Sequence, residues 1–178
     1  GLSFERTELD ILKGETRTPE FLELNPNGRI PLLVLDDGTA LAESNAIQWY
    51  LAEGTPWLPQ DRLGRAQVLQ WMFFEQYSHE PNVAVLRFWH FAGKLGEHTP
   101  EEIAAKEAGS HAALGVMERH LVAADYFVGE SESIADLALY AYTHVAGEGG
   151  IELGDYPAVE AWCRRIAGAT GHVPISRV

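Results

Sequence analysis

Residues 25–53 read NPNGRIPLLVLDDGTALAESNAIQWYLAE, and the punctuation of this stretch sets the organisation of everything around it. Asn25-Pro26-Asn27-Gly28 is a dense loop signal, because proline cannot continue a helix and glycine accepts backbone angles that other residues avoid. Leu32-Leu33-Val34-Leu35 is a short apolar run of the kind that forms a buried strand. Asp36-Asp37-Gly38 supplies turn chemistry, and residues 39–42 form the returning strand of an antiparallel hairpin. Ser44 then precedes Ala46-Ile47-Gln48-Trp49-Tyr50-Leu51, which predicts an amphipathic helix with Ser44 as its N-cap. Glu43 and Ser44 are thereby expected where free backbone N–H groups and the positive end of a helix converge.

Upstream, residues 3–11 (SFERTELDI) alternate imperfectly and predict a strand anchored by Phe4 and Leu9. Thr18-Pro19-Glu20 combines a cap, a proline at the first helical position and an acidic first turn, predicting a short helix to about Leu24. Downstream, Gly54-Thr55-Pro56-Trp57-Leu58-Pro59-Gln60 holds two prolines and a glycine within seven residues. A linker is expected there, dividing the chain into 1–53, 54–61 and 62–178.

Past the linker the apolar spacing changes from two to helical. Residues 62–92 predict one long helix that Pro81 bends or breaks. Thr99-Pro100-Glu101-Glu102 opens a helix running to about Leu121. Ser133 and Asp136 have the spacing of a capping box before Leu137-Ala138-Leu139-Tyr140. A last helix is expected from Tyr156-Pro157-Ala158 to about Ala167, with Trp162 and Ile166 one turn apart.

The whole composition is that of a globular protein: 178 residues, 46% hydrophobic and 22% charged. Thirteen basic against 26 acidic residues give a formal charge of −13, which repels nucleic acid and anionic membranes. The single cysteine excludes an internal disulfide and a multi-thiolate metal site. No apolar run approaches the roughly 20 residues of a membrane span, and a cytoplasmic location is expected. Seven histidines show neither HExxH nor a compact ligand cluster, so no metal site is expected.

The order NPNGRIPLL, turn, LAESNAI, Pro-rich linker and an all-helical half containing SIAD resembles the cytosolic glutathione transferase family over essentially the whole chain. The resemblance implies an α/β thioredoxin-like N-terminal domain that binds glutathione and an all-α C-terminal domain that supplies the pocket for a small electrophile. It implies that Pro31 is a cis-proline and that Ile30 offers its backbone N–H and C=O to the cysteinyl part of glutathione. It further implies that Glu43 pairs with the γ-glutamyl amine and that Ser44 donates to the γ-glutamyl carboxylate; Arg29 is a candidate for the glycyl carboxylate, or a plain surface arginine. Tyr77, Arg87 and Trp89 are candidates for the border of the electrophile pocket. Gln48, Trp49 and the exposed side of the helix from Arg62 are candidates for a homodimer contact, since family members usually pair there.

Relatives begin with a strand and a helix ahead of the segment matching residues 3–11, and the thiolate-activating Tyr, Ser or Cys lies between them. The catalytic residue is therefore unknown here and is expected in a segment not contained in these 178 residues. Loss of that first strand would also leave residues 3–11 without a neighbour for their backbone groups. Among the residues present, Cys163 reads as a structural thiol in the last helix, and Ser133 and Asp136 read as folding residues. Three functions remain open: conjugation of glutathione to an electrophile, glutathione-dependent disulfide reduction on the same fold, and a non-catalytic module for dimerisation or protein association.

Overall fold

The computed structural model describes residues 2–169, 171–173 and 175. The chain divides into two compact units, Gly1–Leu51 and Ala52–Val178.

The first unit is built on the hairpin. Helix α1 (Pro19–Leu24) starts as its sequence predicts, with the Thr18 side chain accepting from the Phe21 N–H and Pro19 in the first turn. Strands β1 (Leu32–Val34) and β2 (Ala40–Ala42) pair antiparallel with Leu32 opposite Ala42, Leu33 opposite Leu41 and Val34 opposite Ala40. The turn closes through Gly38 N–H to the Leu35 carbonyl at 2.8 Å and Leu35 N–H to the Thr39 carbonyl at 2.9 Å. Gly38 has φ 84°, the left-handed residue that a three-residue hairpin loop places last. Asp37 accepts from the Thr39 N–H at 2.9 Å, which fixes the loop as an Asx turn. Helix α2 (Ser44–Ala52) follows directly.

Residues 3–11 are a correction to the sequence reading: they form no strand. Among the described residues the sheet has two strands only, β1 and β2. A strand exists by exchanging backbone hydrogen bonds with a neighbour, and alternation alone supplies none; Phe4 is 77% exposed. The Asp10 carboxylate accepts from the Leu12 and Lys13 N–H groups.

The second unit is helical: α3 (Arg62–Phe74), a π-turn (Glu75–His79), α4 (Glu80–Phe91), α5 (Pro100–Leu121), α6 (Ile134–Thr143) and α7 (Pro157–Ala167). The expected long helix thus changes register at the π-turn just ahead of Pro81. Proline has no N–H to give the preceding turn, and Asn82 Nδ2 covers the Ser78 carbonyl at 2.8 Å. Thr99 and Glu102 form the capping box of α5. The core gathers Val68, Met72, Leu86, Leu114, Met117, Leu139, Val159, Trp162 and Ile166, all buried. Among the described residues no helix is long and apolar enough to cross a membrane.

Candidate functional site

The loop from Asn25 to Ile30 is held by its own side chains. Asn25 is buried and does three jobs: its carbonyl accepts from Gly28 N–H at 2.9 Å, its Oδ1 accepts from Asn27 N–H at 3.1 Å, and its Nδ2 donates to the Arg29 carbonyl at 2.7 Å. Arg17 braces the loop from outside, Nη1 donating to the Asn27 carbonyl at 3.0 Å. Gly28 has φ 62°, and a Cβ there would press on the Arg17 guanidinium and lie 3.0 Å from the Thr16 carbonyl oxygen. The loop hands the chain to a cis Ile30–Pro31 bond, with Arg29, Ile30 and Pro31 all exposed.

At the other end of the site, Glu43 has φ 73°, the one non-glycine residue with positive φ among those described. Its carbonyl accepts from Ile47 N–H at 2.9 Å, so Glu43 occupies the N-cap position of α2 and Ser44 is the first helical residue. This corrects the expectation that Ser44 is the cap. The first turn of any α-helix carries N–H groups with no acceptor inside the helix, and here they follow an exposed carboxylate, with Ser44 half-buried beside it. Holding a non-glycine residue in the left-handed region costs of order 1 to 3 kcal/mol and is commonest at binding sites.

The hairpin register joins the two ends. Because Leu32 pairs with Ala42, Pro31 and Glu43 are the next residues out on adjacent strands, so Ile30, Pro31, Glu43 and Ser44 share one end of the hairpin. Arg29 is on the same loop with its side chain exposed. Two residues of this site escaped the sequence reading, Asn25 and Arg17. For Asn25 a signal was present, since asparagine characteristically bonds the N–H two residues on; for Arg17 there was none.

The remaining candidates lie in the helical unit. Tyr77 stands on the π-turn, exposed; Arg87 Nε donates to Glu148 at 2.8 Å; Trp89 stacks on His98 with centroids 3.5 Å apart. On α2, Gln48 and Trp49 are half-buried. Cys163 is buried in α7, and burial pushes its thiol up to about 12. Asp136 is fully buried and accepts from Ser133 N–H, Ser133 O–H, Phe127 N–H and Trp162 Nε1–H at 2.9 to 3.1 Å. Burial raises its carboxyl, and these four bonds pull it back. Among the described residues no group of three or more His, Cys, Asp or Glu side chains is placed to hold a metal ion.

Residues 1–53 match the family described as "Glutathione S-transferase, N-terminal domain" and residues 70–169 the one described as "Glutathione S-transferase, C-terminal domain". Glutathione S-transferase F10 of Arabidopsis thaliana is 36% identical over 94% of this chain and 82% of its own length. The disulfide-bond oxidoreductase YfcG of Escherichia coli is 32% identical over 93% of this chain and 79% of its own. Among solved structures, a glutathione S-transferase from Pseudomonas fluorescens aligns with a TM-score of 0.90 at 53% identity, covering 93% of this chain and 83% of that one. A glutathione transferase from Phanerochaete chrysosporium, solved in complex with oxidized glutathione, aligns with a TM-score of 0.85 at 27% identity over 95% and 81%. With a hairpin-and-helix first unit, a helical second unit and both family halves matched in order, the chain belongs to the glutathione S-transferase family.

Proposed function

We propose that the hairpin end carrying Ile30, Pro31, Glu43 and Ser44 binds glutathione, and that the protein promotes attack of the glutathione thiolate on an electrophilic small molecule. The observation that carries this reading is the exposed, left-handed Glu43 at the start of α2, beside the Ile30–Pro31 bond. In this reading the Ile30 N–H and C=O pair with the cysteinyl backbone as one more strand residue would. The Glu43 carboxylate takes the γ-glutamyl ammonium, and Ser44 with the first turn of α2 takes the γ-glutamyl carboxylate, an anion at the positive end of a helix. Arg29 reaches for the glycyl carboxylate. Support comes from the match of residues 1–53 to the family's N-terminal half and from a relative of the same fold solved with oxidized glutathione.

The chemistry required is a lowered pKa at the glutathione sulfur, since a free thiol near pKa 8.5 is mostly protonated at neutral pH. None of Ile30, Glu43 and Ser44 is assigned that task, because each is committed to the peptide. Cys163 is likewise unassigned: a buried thiol held up to about 12 supplies no thiolate at neutral pH. In this reading the working form is a homodimer, with Leu63 and Phe73 of α3, 68% and 69% exposed, as apolar side chains for the contact.

A second reading, reduction of disulfides at the expense of glutathione, is favoured by the name of the Escherichia coli relative. Retention on immobilised glutathione, followed by parallel assays with a chlorodinitroarene and with a mixed disulfide of glutathione, separates the two. Conjugation above the uncatalysed rate supports transfer; reduction without conjugation supports the second reading. Failure to bind glutathione rejects both.

A further inference from the structure

The π-turn holds a histidine whose protonation state the surrounding bonds dictate. His79 is fully buried, and its Nε2 lies 2.9 Å from Thr143 Oγ1 on α6. Thr143 spends its own hydroxyl proton on the Leu139 carbonyl, at 2.6 Å. A hydroxyl has one proton to donate, so toward His79 the Thr143 oxygen accepts, and Nε2 of His79 carries the ring proton. Nδ1 is then a bare acceptor in the neutral ring, and it is buried with no hydrogen-bond partner. A second proton on that ring would sit on a buried nitrogen that has no hydrogen-bond partner to receive it.

The position of this ring makes its charge consequential. The π-turn is bonded across by Glu80 N–H to the Glu75 carbonyl, and the following turn contains Pro81, which donates no backbone bond. The ladder lacks the Pro81 donor here, and the side-chain link from His79 to Thr143 ties the turn to α6. Among the charged and titratable groups on the turn and the elements packed around it are Glu75 and Tyr77 on the turn itself, Glu80 and Arg87 on α4, Lys106 on α5 and Tyr142 on α6, while the end of α3 that leads into the turn, residues 67–74, carries no charged group. Lys106 is engaged with the Pro81 carbonyl at 2.7 Å and Arg87 with Glu148 at 2.8 Å; burial pushes the Tyr142 hydroxyl up, Glu80 and Glu75 add to that, and Arg87 opposes it.

We propose that the His79–Thr143 contact is an acid-sensitive latch: the neutral Nε2–H ring fastens the π-turn to α6, and uptake of a proton at Nδ1 releases the turn without unfolding the rest of the helical unit. The proton comes from solvent and is taken up on opening, since the closed site has no room for the charge. Burial holds the folded imidazole down to about 4, against an ordinary value of about 6.5. The sign follows from linkage. The latch is at full strength above pH 6.5, weakens as pH falls because the open form binds one more proton, and levels off below about 4.

Two measurements test it. In ¹⁵N NMR of the protein at pH 7, His79 should show a protonated Nε2 and a bare Nδ1; a protonated Nδ1, or a folded-state titration centred near 6.5, overturns the proposal. By hydrogen exchange between pH 6.5 and 4, corrected for intrinsic chemistry, the opening constant read at the Glu80 amide should rise about tenfold per pH unit. His79→Gln keeps an N–H for Thr143 but cannot take up the proton, and should show a flat profile. Equal slopes in the two proteins overturn the proposal, and the NMR result on the unmodified protein decides it should the variant fail to fold.

Discussion

Leu32 of β1 sits directly opposite Ala42 of β2. That single pairing sets the cis Ile30–Pro31 bond and the left-handed Glu43 at one end of the hairpin, although eleven residues lie between Pro31 and Glu43 in sequence. A slip of the hairpin by one residue would turn every side chain to the other face and separate the two. The tight turn at Gly38 thus sets the geometry of the candidate site proposed at the opposite end of the strands.

Glu43→Gly should separate folding from function. Glycine adopts φ 73° without the steric cost that glutamate bears, and relief of strain of order 1 to 3 kcal/mol offsets the roughly 0.4 to 1 kcal/mol lost to a looser unfolded chain, so the variant should be at least as stable as the parent. It should nevertheless lose affinity for glutathione, because the carboxylate is gone. Paired urea denaturation and calorimetric titration check both halves.

Gly28→Ala should do the reverse, harming the fold of the first unit first. The added methyl meets the Arg17 guanidinium and the Thr16 carbonyl in a residue already at φ 62°. Strain at a positive φ costs about 1 kcal/mol or more, and relief would move the loop that presents Ile30. A fall in the denaturation midpoint together with weaker glutathione binding is expected.

Asp136→Asn should destabilise the helical unit by at least about 2 kcal/mol. The carboxylate accepts four hydrogen bonds from Ser133, Phe127 and Trp162; an amide offers one acceptor oxygen and turns an NH₂ toward donors. Thermal denaturation measures the loss, and glutathione affinity of the folded protein should be unchanged, since the residue lies in the second unit.

Much of this was legible in the sequence, and the exceptions share a cause. The caps at Thr18 and Thr99, the Ser133–Asp136 box and the Asp37-Gly38 turn are each decided by residues within four positions of one another, and each formed as its local chemistry directs. Residues 3–11 alternate like a strand yet form none, because a strand depends on a partner that local pattern does not provide. The helix from Arg62 changes register over residues 75–79, where Asn82 and the buried His79 settle the backbone; Pro81 alone indicated only that a change would come. At the site, Glu43 and Ser44 were visible, but their division of labour was not: which residue takes the cap depends on the path by which β2 enters α2. The Arg17 brace spans ten residues and has no signature in the chain.

Cys163 should be silent toward thiol reagents in the folded protein. It is buried in α7 with its thiol held up to about 12, so thiolate and access are both lacking. Labelling by a chromogenic disulfide should be absent under native conditions and reach one equivalent in denaturant.

The most direct test of the account is calorimetric titration of glutathione into the protein and into Glu43→Gln, which keeps size and removes charge. Saturable binding by the parent, weakened about tenfold to a hundredfold in the variant as expected for a lost charged hydrogen bond of about 1.5 to 3 kcal/mol, is the predicted result. Binding of equal affinity in both proteins, or none in the parent, would contradict the claim that this end of the hairpin is the glutathione site.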